Sequence, residues 1–76
     1  MSIQITVGNK IKTFREKKGW SQEDLADISG LHRTYISGVE RGVRNPTIEI
    51  VFRISCALGV DVAQLFEQTP KSGKSE

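Results

Sequence analysis

Ser21 to Asn45, SQEDLADISGLHRTYISGVERGVRN, decides how this chain is read. Ser21 offers a hydroxyl that caps a helix, and Asp24, three residues on, supplies the other half of a capping box with a shorter reach than glutamate or glutamine would have. Leu25 and Ile28 are then expected to point inward, and Ala26 is small where another helix must come close. Gly30 has the permissive backbone that ends this helix in a tight turn, with Leu31 anchoring the turn in the core. A second helix follows from His32 or Arg33 to Arg41, with Ile36, Val39 and Glu40 on its inner face and polar residues outside. The stretch is therefore two short amphipathic helices at a sharp junction, the second headed by arginine.

Working outward, Met1 to Ile5 reads as a lead, and Thr6 caps a first helix whose face carries Val7, Ile11 and Phe14. That helix ends near Lys18 and Gly19, where Lys17 and Lys18 suit the negative helix terminus as well as any outside partner. The alternation of Ile3, Ile5 and Val7 leaves a short edge strand as an alternative. Beyond the central stretch, Gly42 stops the third helix and Val43 to Pro46 form a loop. Thr47 then caps a fourth helix with an inward stripe of Ile48, Val51, Ile54 and Leu58, ended by Gly59. Asp61 and Gln64 repeat the capping box for a short fifth helix carrying Val62, Leu65 and Phe66. The last residues, TPKSGKSE from Thr69 to Glu76, have no apolar side chain to bury and are expected to be disordered. The expected architecture is all-α, with five helices in one domain over residues 7–68 and a tail over 69–76.

A chain of 76 residues supports one modest core, and domains this small commonly gain stability from disulfides, metals or a partner subunit. The single Cys56 excludes an internal disulfide and a multi-cysteine zinc site, and its place in an apolar helical run reads as a packed thiol in a reducing cytoplasm. Neither a signal peptide nor a membrane span is visible, which predicts a soluble cytoplasmic protein that does not engage a membrane. A formal charge of +2 does not by itself argue for nucleic acid, but Arg33, Arg41 and Arg44 gather in and after the second central helix. The acids gather elsewhere, at Glu23, Asp24, Glu49, Asp61 and Glu67. With His32 and Cys56 alone in different segments, no nucleophile-base pair and no metal-ligand spacing stands out. No catalysis, metal or cofactor is expected.

Gln22 to Arg41, QEDLADISGLHRTYISGVER, resembles the helix-turn-helix of the phage repressor and Cro (XRE) family of DNA-binding domains. Gln22, Ala26, Gly30, Ile36, Val39 and Glu40 at their spacings carry the likeness, which extends over about Val7 to Phe66. The run HRTYISGVERGVRNPT is similar in particular to the controller proteins of bacterial restriction-modification systems. The resemblance implies a lambda-repressor-like fold and a bacterial or phage-encoded transcription regulator, associated with the nucleoid through its DNA. It implies that the start of helix 3 enters the major groove of double-stranded DNA, with Arg33 and Thr34 reading bases. Gln22 would clamp a phosphate at the head of helix 2, Tyr35 and Ser37 would hold backbone phosphates or reach the neighbouring base, and Arg41, Arg44 and Asn45 would grip the backbone further along. Solvated surface arginines, and core packing for Tyr35, stand as the alternatives. Gly38, costly in mid-helix, either admits DNA closely or is simply tolerated.

Arg15 and Glu40 lie near the inward faces of helices 1 and 3, which suggests a buried ion pair that the resemblance also supports. Ile50, Phe52, Val60, Val62 and Phe66 add more apolar surface than one inner stripe needs, which predicts a homodimer on a roughly palindromic operator. Their alternative role is to complete a small core. Glu23, Asp24 and Asp27 are the surface through which the resemblance implies RNA polymerase as a further partner, or else are solvated acids. His32 departs from the family pattern, which favours a small oxygen-bearing cap at that place. An antitoxin or adapter whose main partner is another protein is the competing function.

Overall fold

Ser2, four residues ahead of the expected Thr6, opens the first helix, its hydroxyl accepting the N–H of Gln4 at 3.1 Å. The computed structural model describes residues 2–67 and places α1 at Ile3–Lys17, α2 at Gln22–Ser29, α3 at Arg33–Glu40, α4 at Ile48–Leu58 and α5 at Val62–Phe66. No strand occurs among the described residues, so the edge-strand alternative for Ile3, Ile5 and Val7 falls. Thr6 sits inside the helix, buried, with its hydroxyl 3.4 Å from the Ser2 carbonyl. The extra turn has a packing reason: Ile5 lies over Gly42 at the end of α3, where a Cβ would stand 2.7 Å from its Cγ1.

The remaining boundaries follow local chemistry. Ser21 and Asp61 each form a complete capping box, with Asp24 and Gln64 as the reciprocal partners, and Thr47 accepts the N–H of Ile50 at 3.2 Å. Gly30 adopts φ 76°, a left-handed conformation that an L side chain would strain, and thereby turns α2 into α3. The tail expected from Thr69 lies outside the described residues.

Val7, Ile11, Leu25, Ala26, Ile36, Val39, Val51, Ile54, Leu58 and Leu65 form one core. Around it α1 packs on α3, α4 and α5, α2 on α3 and α4, and α4 on α5. Phe14 and Leu31 are half-buried against this core.

Three expected inward positions face out. In α2 the buried arc passes through Leu25, Ala26 and Ser29, so Ile28 is left 53% exposed. Ile48, at the first position of α4, overhangs the core and is 83% exposed. Cys56 is exposed, because the inward arc of α4 takes Ser55 instead, whose hydroxyl donates to the Phe52 carbonyl at 2.7 Å. A buried serine with its own local acceptor costs little, and Cys56, two residues after Ile54, falls on the opposite side. No helix of the described residues is long and apolar enough to cross a membrane.

Candidate nucleic-acid interface

The third helix divides sharply between what it buries and what it shows. Ile36, Val39 and Glu40 are buried, whereas Arg33 and Thr34 in the first turn and Arg41 at the C-cap are exposed. Its inner side is fixed by a polar lock as well as by apolar packing. Glu40 accepts from Arg15 Nε at 2.6 Å, from Arg15 Nη2 at 3.0 Å and from Gln22 Nε2 at 3.0 Å. Arg15 Nη1 also donates to the Trp20 carbonyl at 2.7 Å, so one guanidinium ties the end of α1 to its following turn and to α3. The two-pronged match of guanidinium and carboxylate has strong directional preference, and it sets the angle at which α3 leaves the body.

Both side chains are buried, at 10% and 2% exposure, so their charges would be costly apart. The Glu40 hydrogen bond raises the Arg15 pKa, against the opposing effect of burial and with further help from the charges of Glu40 and Glu16. This is the one ion pair among the described residues, so Arg33, Arg41 and Arg44 carry their charge on the surface without a carboxylate partner. Glu40 is neutralised inside, and Glu23, Asp24 and Asp27 are exposed on α2.

Gln22 also has a partner inside the protein. Half-buried at the head of α2, it donates an amide N–H to Glu40 and so joins the lock on the inner side of α3. Tyr35 and Ser37 are half-buried flanks of α3, and Tyr35 packs against the core while its ring lies 5.8 Å from the Arg44 guanidinium carbon. Packing and surface display are thus combined in one tyrosine. Asn45 is exposed in the following loop. His32 takes the N-cap position with extended backbone and makes no side-chain capping bond, so the first turn of α3 has no capping side chain and no acid. Lys17 and Lys18 lie over the rings of Phe14 and Trp20, at 5.6 and 5.1 Å, which gives them local aromatic partners at the end of α1.

Gly8 was not singled out from sequence. A Cβ there would strike the carbonyl oxygen of Val39 and stand 2.7 Å from that of Glu40, so α1 and α3 touch backbone to backbone next to the lock. Gly38 also has an internal neighbour, since its missing Cβ leaves room for the Arg44 side chain. Neither contact has a local sequence signal, since each depends on a residue from another segment.

Away from this face, Phe52 and Phe66 are 57% and 43% exposed on α4 and α5, while Ile50, Val60 and Val62 are half-buried against the core. The expected apolar set is thus split between surface and core edge. Phe66 continues into a crevice lined by Ile3, Val7, Pro46, Ile48 and Val51.

Residues 11–65 match the family model described as Helix-turn-helix. The chain is 44% identical over 69 residues to control protein C.BamHI of Bacillus amyloliquefaciens, spanning 90% of this chain and 85% of that protein. Its fold is similar to that of the restriction-modification controller protein C.AhdI from Aeromonas hydrophila, with a TM-score of 0.80 at 40% identity over 83% of this chain and 96% of that one. It is also similar to the controller protein C.Esp1396I, solved as a tetramer with its natural 35 base-pair operator: TM-score 0.79, 44% identity, 87% of each chain covered.

Proposed function

This chain belongs to the helix-turn-helix family, and on that premise we propose that it is a sequence-specific double-stranded DNA-binding transcriptional regulator, a controller protein of a restriction-modification system. One observation carries the reading: the inner side of α3 is pinned by Arg15, Glu40 and Gln22 while its outer side presents Arg33, Thr34 and Arg41 with no internal partner. A rigid helix with an unpaired cationic front suits a major groove, where phosphates supply the charge and base edges supply the code.

Arg33 is assigned to a guanine edge through its two-pronged guanidinium, and Thr34 to a thymine methyl or a phosphate. Tyr35, Ser37, Arg41, Arg44 and Asn45 hold the backbone on either side, and Gln22 adds to that grip while bonded to Glu40. The protein acts as a homodimer through α4 and α5, with Phe52 and Phe66 as the exposed contacts and Ile50, Val60 and Val62 beneath them. Two-fold symmetry then presents two copies of α3 to successive major grooves and calls for a roughly palindromic operator. On α2, Glu23 and Asp27 remain for RNA polymerase, Asp24 being spent on the Ser21 cap. The protein works without catalysis, in the cytoplasm and on the nucleoid.

A gel-shift series on the DNA upstream of its own gene tests this reading. Binding is expected to weaken steeply as salt rises, because each phosphate contact releases counterions. If no genomic fragment shifts at low salt, the regulator reading fails, and co-purification of a toxic neighbour would favour the antitoxin class.

A further inference from the structure

Gly38 shares the outward side of α3 with Thr34, four residues before it, and Arg41, three after it. Those two are exposed, yet Gly38 is buried. The cover is Arg44, which comes from the loop beyond the helix. A Cβ on Gly38 would stand 2.6 Å from Arg44 Cγ, 3.4 Å from Nε and 3.6 Å from Cδ, so the stem of the arginine crosses the glycine along most of its length. The loop is tied to the same residue, because the Gly38 carbonyl accepts from Val43 N at 3.0 Å and from Arg44 N at 3.2 Å. Beyond the glycine, the guanidinium carbon lies 5.8 Å from the Tyr35 ring centre.

We infer that Gly38 is a positioning residue for the grip on DNA: by lacking a side chain it seats Arg44 across the front of α3 and against Tyr35. An arginine held this way has lost most of its rotamer freedom before DNA arrives, so less is lost on binding. The seat also brings a loop residue to the front of the reading helix, where Thr34 and Arg41 already stand. The inference rests on the assignment of Arg44 to DNA proposed above.

Alanine at position 38 separates this role from a structural one. Alanine favours helix over glycine, and the atoms it meets belong to an exposed side chain, so Gly38→Ala should keep or raise the melting temperature. The Cβ strikes Arg44 near its root, however, where turning the far end gives no relief, so the seat is lost. The probe is a duplex selected by the wild-type protein from a random double-stranded pool, compared with a scrambled duplex of equal length by fluorescence anisotropy. Gly38→Ala should bind both duplexes about tenfold more weakly, because Arg44 holds the backbone and a backbone contact carries no sequence information. Tyr35 is the chain's one tyrosine, so its ring proton signals report the seat directly and should shift in the DNA-free variant. In an Arg44→Ala background, adding Gly38→Ala should change binding by less than about twofold, as for two residues acting through one contact.

Equal weakening by Gly38→Ala in both backgrounds would overturn the inference, since the glycine would then face DNA itself. Wild-type binding by Gly38→Ala, or unchanged ring signals, would overturn it too. An Arg44→Ala protein that binds both duplexes normally would remove the DNA role of Arg44 and the inference with it. Failure of the wild-type protein to enrich any duplex would instead sink the DNA-binding reading itself.

Discussion

Arg15→Ala is expected to be the most damaging single truncation of a charged residue in this protein. It takes from the Glu40 carboxylate two of its three hydrogen bonds, at 2.6 and 3.0 Å, and leaves only the amide of Gln22. The Trp20 carbonyl loses its 2.7 Å donor at the same time. Because the Glu40 side chain is 2% exposed, water does not readily replace the missing guanidinium, and an uncompensated buried charge of this kind costs about 3 to 5 kcal/mol. For a domain of this size each kcal/mol moves the melting temperature by about 4 to 8 °C, so a fall of at least roughly 12 °C is expected in a thermal scan followed by circular dichroism. The comparison that isolates the cause is Arg15→Met with Glu40→Leu, which removes both charges and fills the space; such replacements are often neutral or stabilising. A single mutant melting within about 4 °C of wild type, or a double mutant no better than the single, would refute the ion-pair account.

The sign of the pH effect follows from the raised Arg15 pKa, for which the Glu40 hydrogen bond is the leading cause. A raised folded-state value means that the stabilisation is present below the unfolded pKa and lost only as pH climbs through the folded one. Both lie at the strongly alkaline end, so the Arg15→Ala deficit should be the same at about pH 7 and about pH 9.

Gly8→Ala should cost about 1 to 3 kcal/mol in urea denaturation, since the new methyl meets the backbone carbonyls of Val39 and Glu40, which cannot swing aside as a side chain can. Arg33→Ala should remove about 1 to 3 kcal/mol of discrimination at one operator position, read by selection from a random DNA pool; unchanged preference would return Arg33 to a solvated surface role. Phe52→Asp should leave the fold intact, the ring being 57% exposed, but convert the protein to monomer in sedimentation experiments and weaken operator binding. A wild-type protein already monomeric at micromolar concentration would defeat the α4 and α5 interface.

The parts of this fold that were legible in the sequence are those decided within a turn or two of chain. The boxes at Ser21 with Asp24 and at Asp61 with Gln64, the Thr47 cap and the turn at Gly30 each need only neighbours. The core stripe Val51, Ile54 and Leu58 follows from helical period alone. Period is less informative where an arc can rotate by one residue, and so Ser29 and Ser55 take buried places while Ile28, Ile48 and Cys56 face out. Thr6 was the expected cap of α1, but Ser2 takes that place, because the extra turn seats Ile5 on Gly42, a contact across much of the chain.

The same division explains why the site was only half visible. Exposure at Arg33, Thr34 and Arg41 belongs to one helix, and a single amphipathic pattern reveals it. What aims that helix comes from three other segments: Arg15 of α1, whose pairing with Glu40 the inward helix faces did suggest, together with Gly8 of α1, Gln22 of α2 and Arg44 of the following loop, whose contacts they did not. Each contact sits at a different point along α3, with Glu40 held at its end, the Val39 and Glu40 carbonyls against Gly8, and Gly38 under Arg44. A short helix has too few apolar positions to set both its tilt and its rotation by packing alone, because Ile36 and Val39 together define little more than one contact line. Directional bonds to Glu40 and two side-chain-free crossings supply the missing constraints. Substitutions at Gly8 and Arg15 should therefore disturb binding through the aim of α3, changing affinity for every sequence together, whereas Arg33 substitutions should change which sequence is preferred.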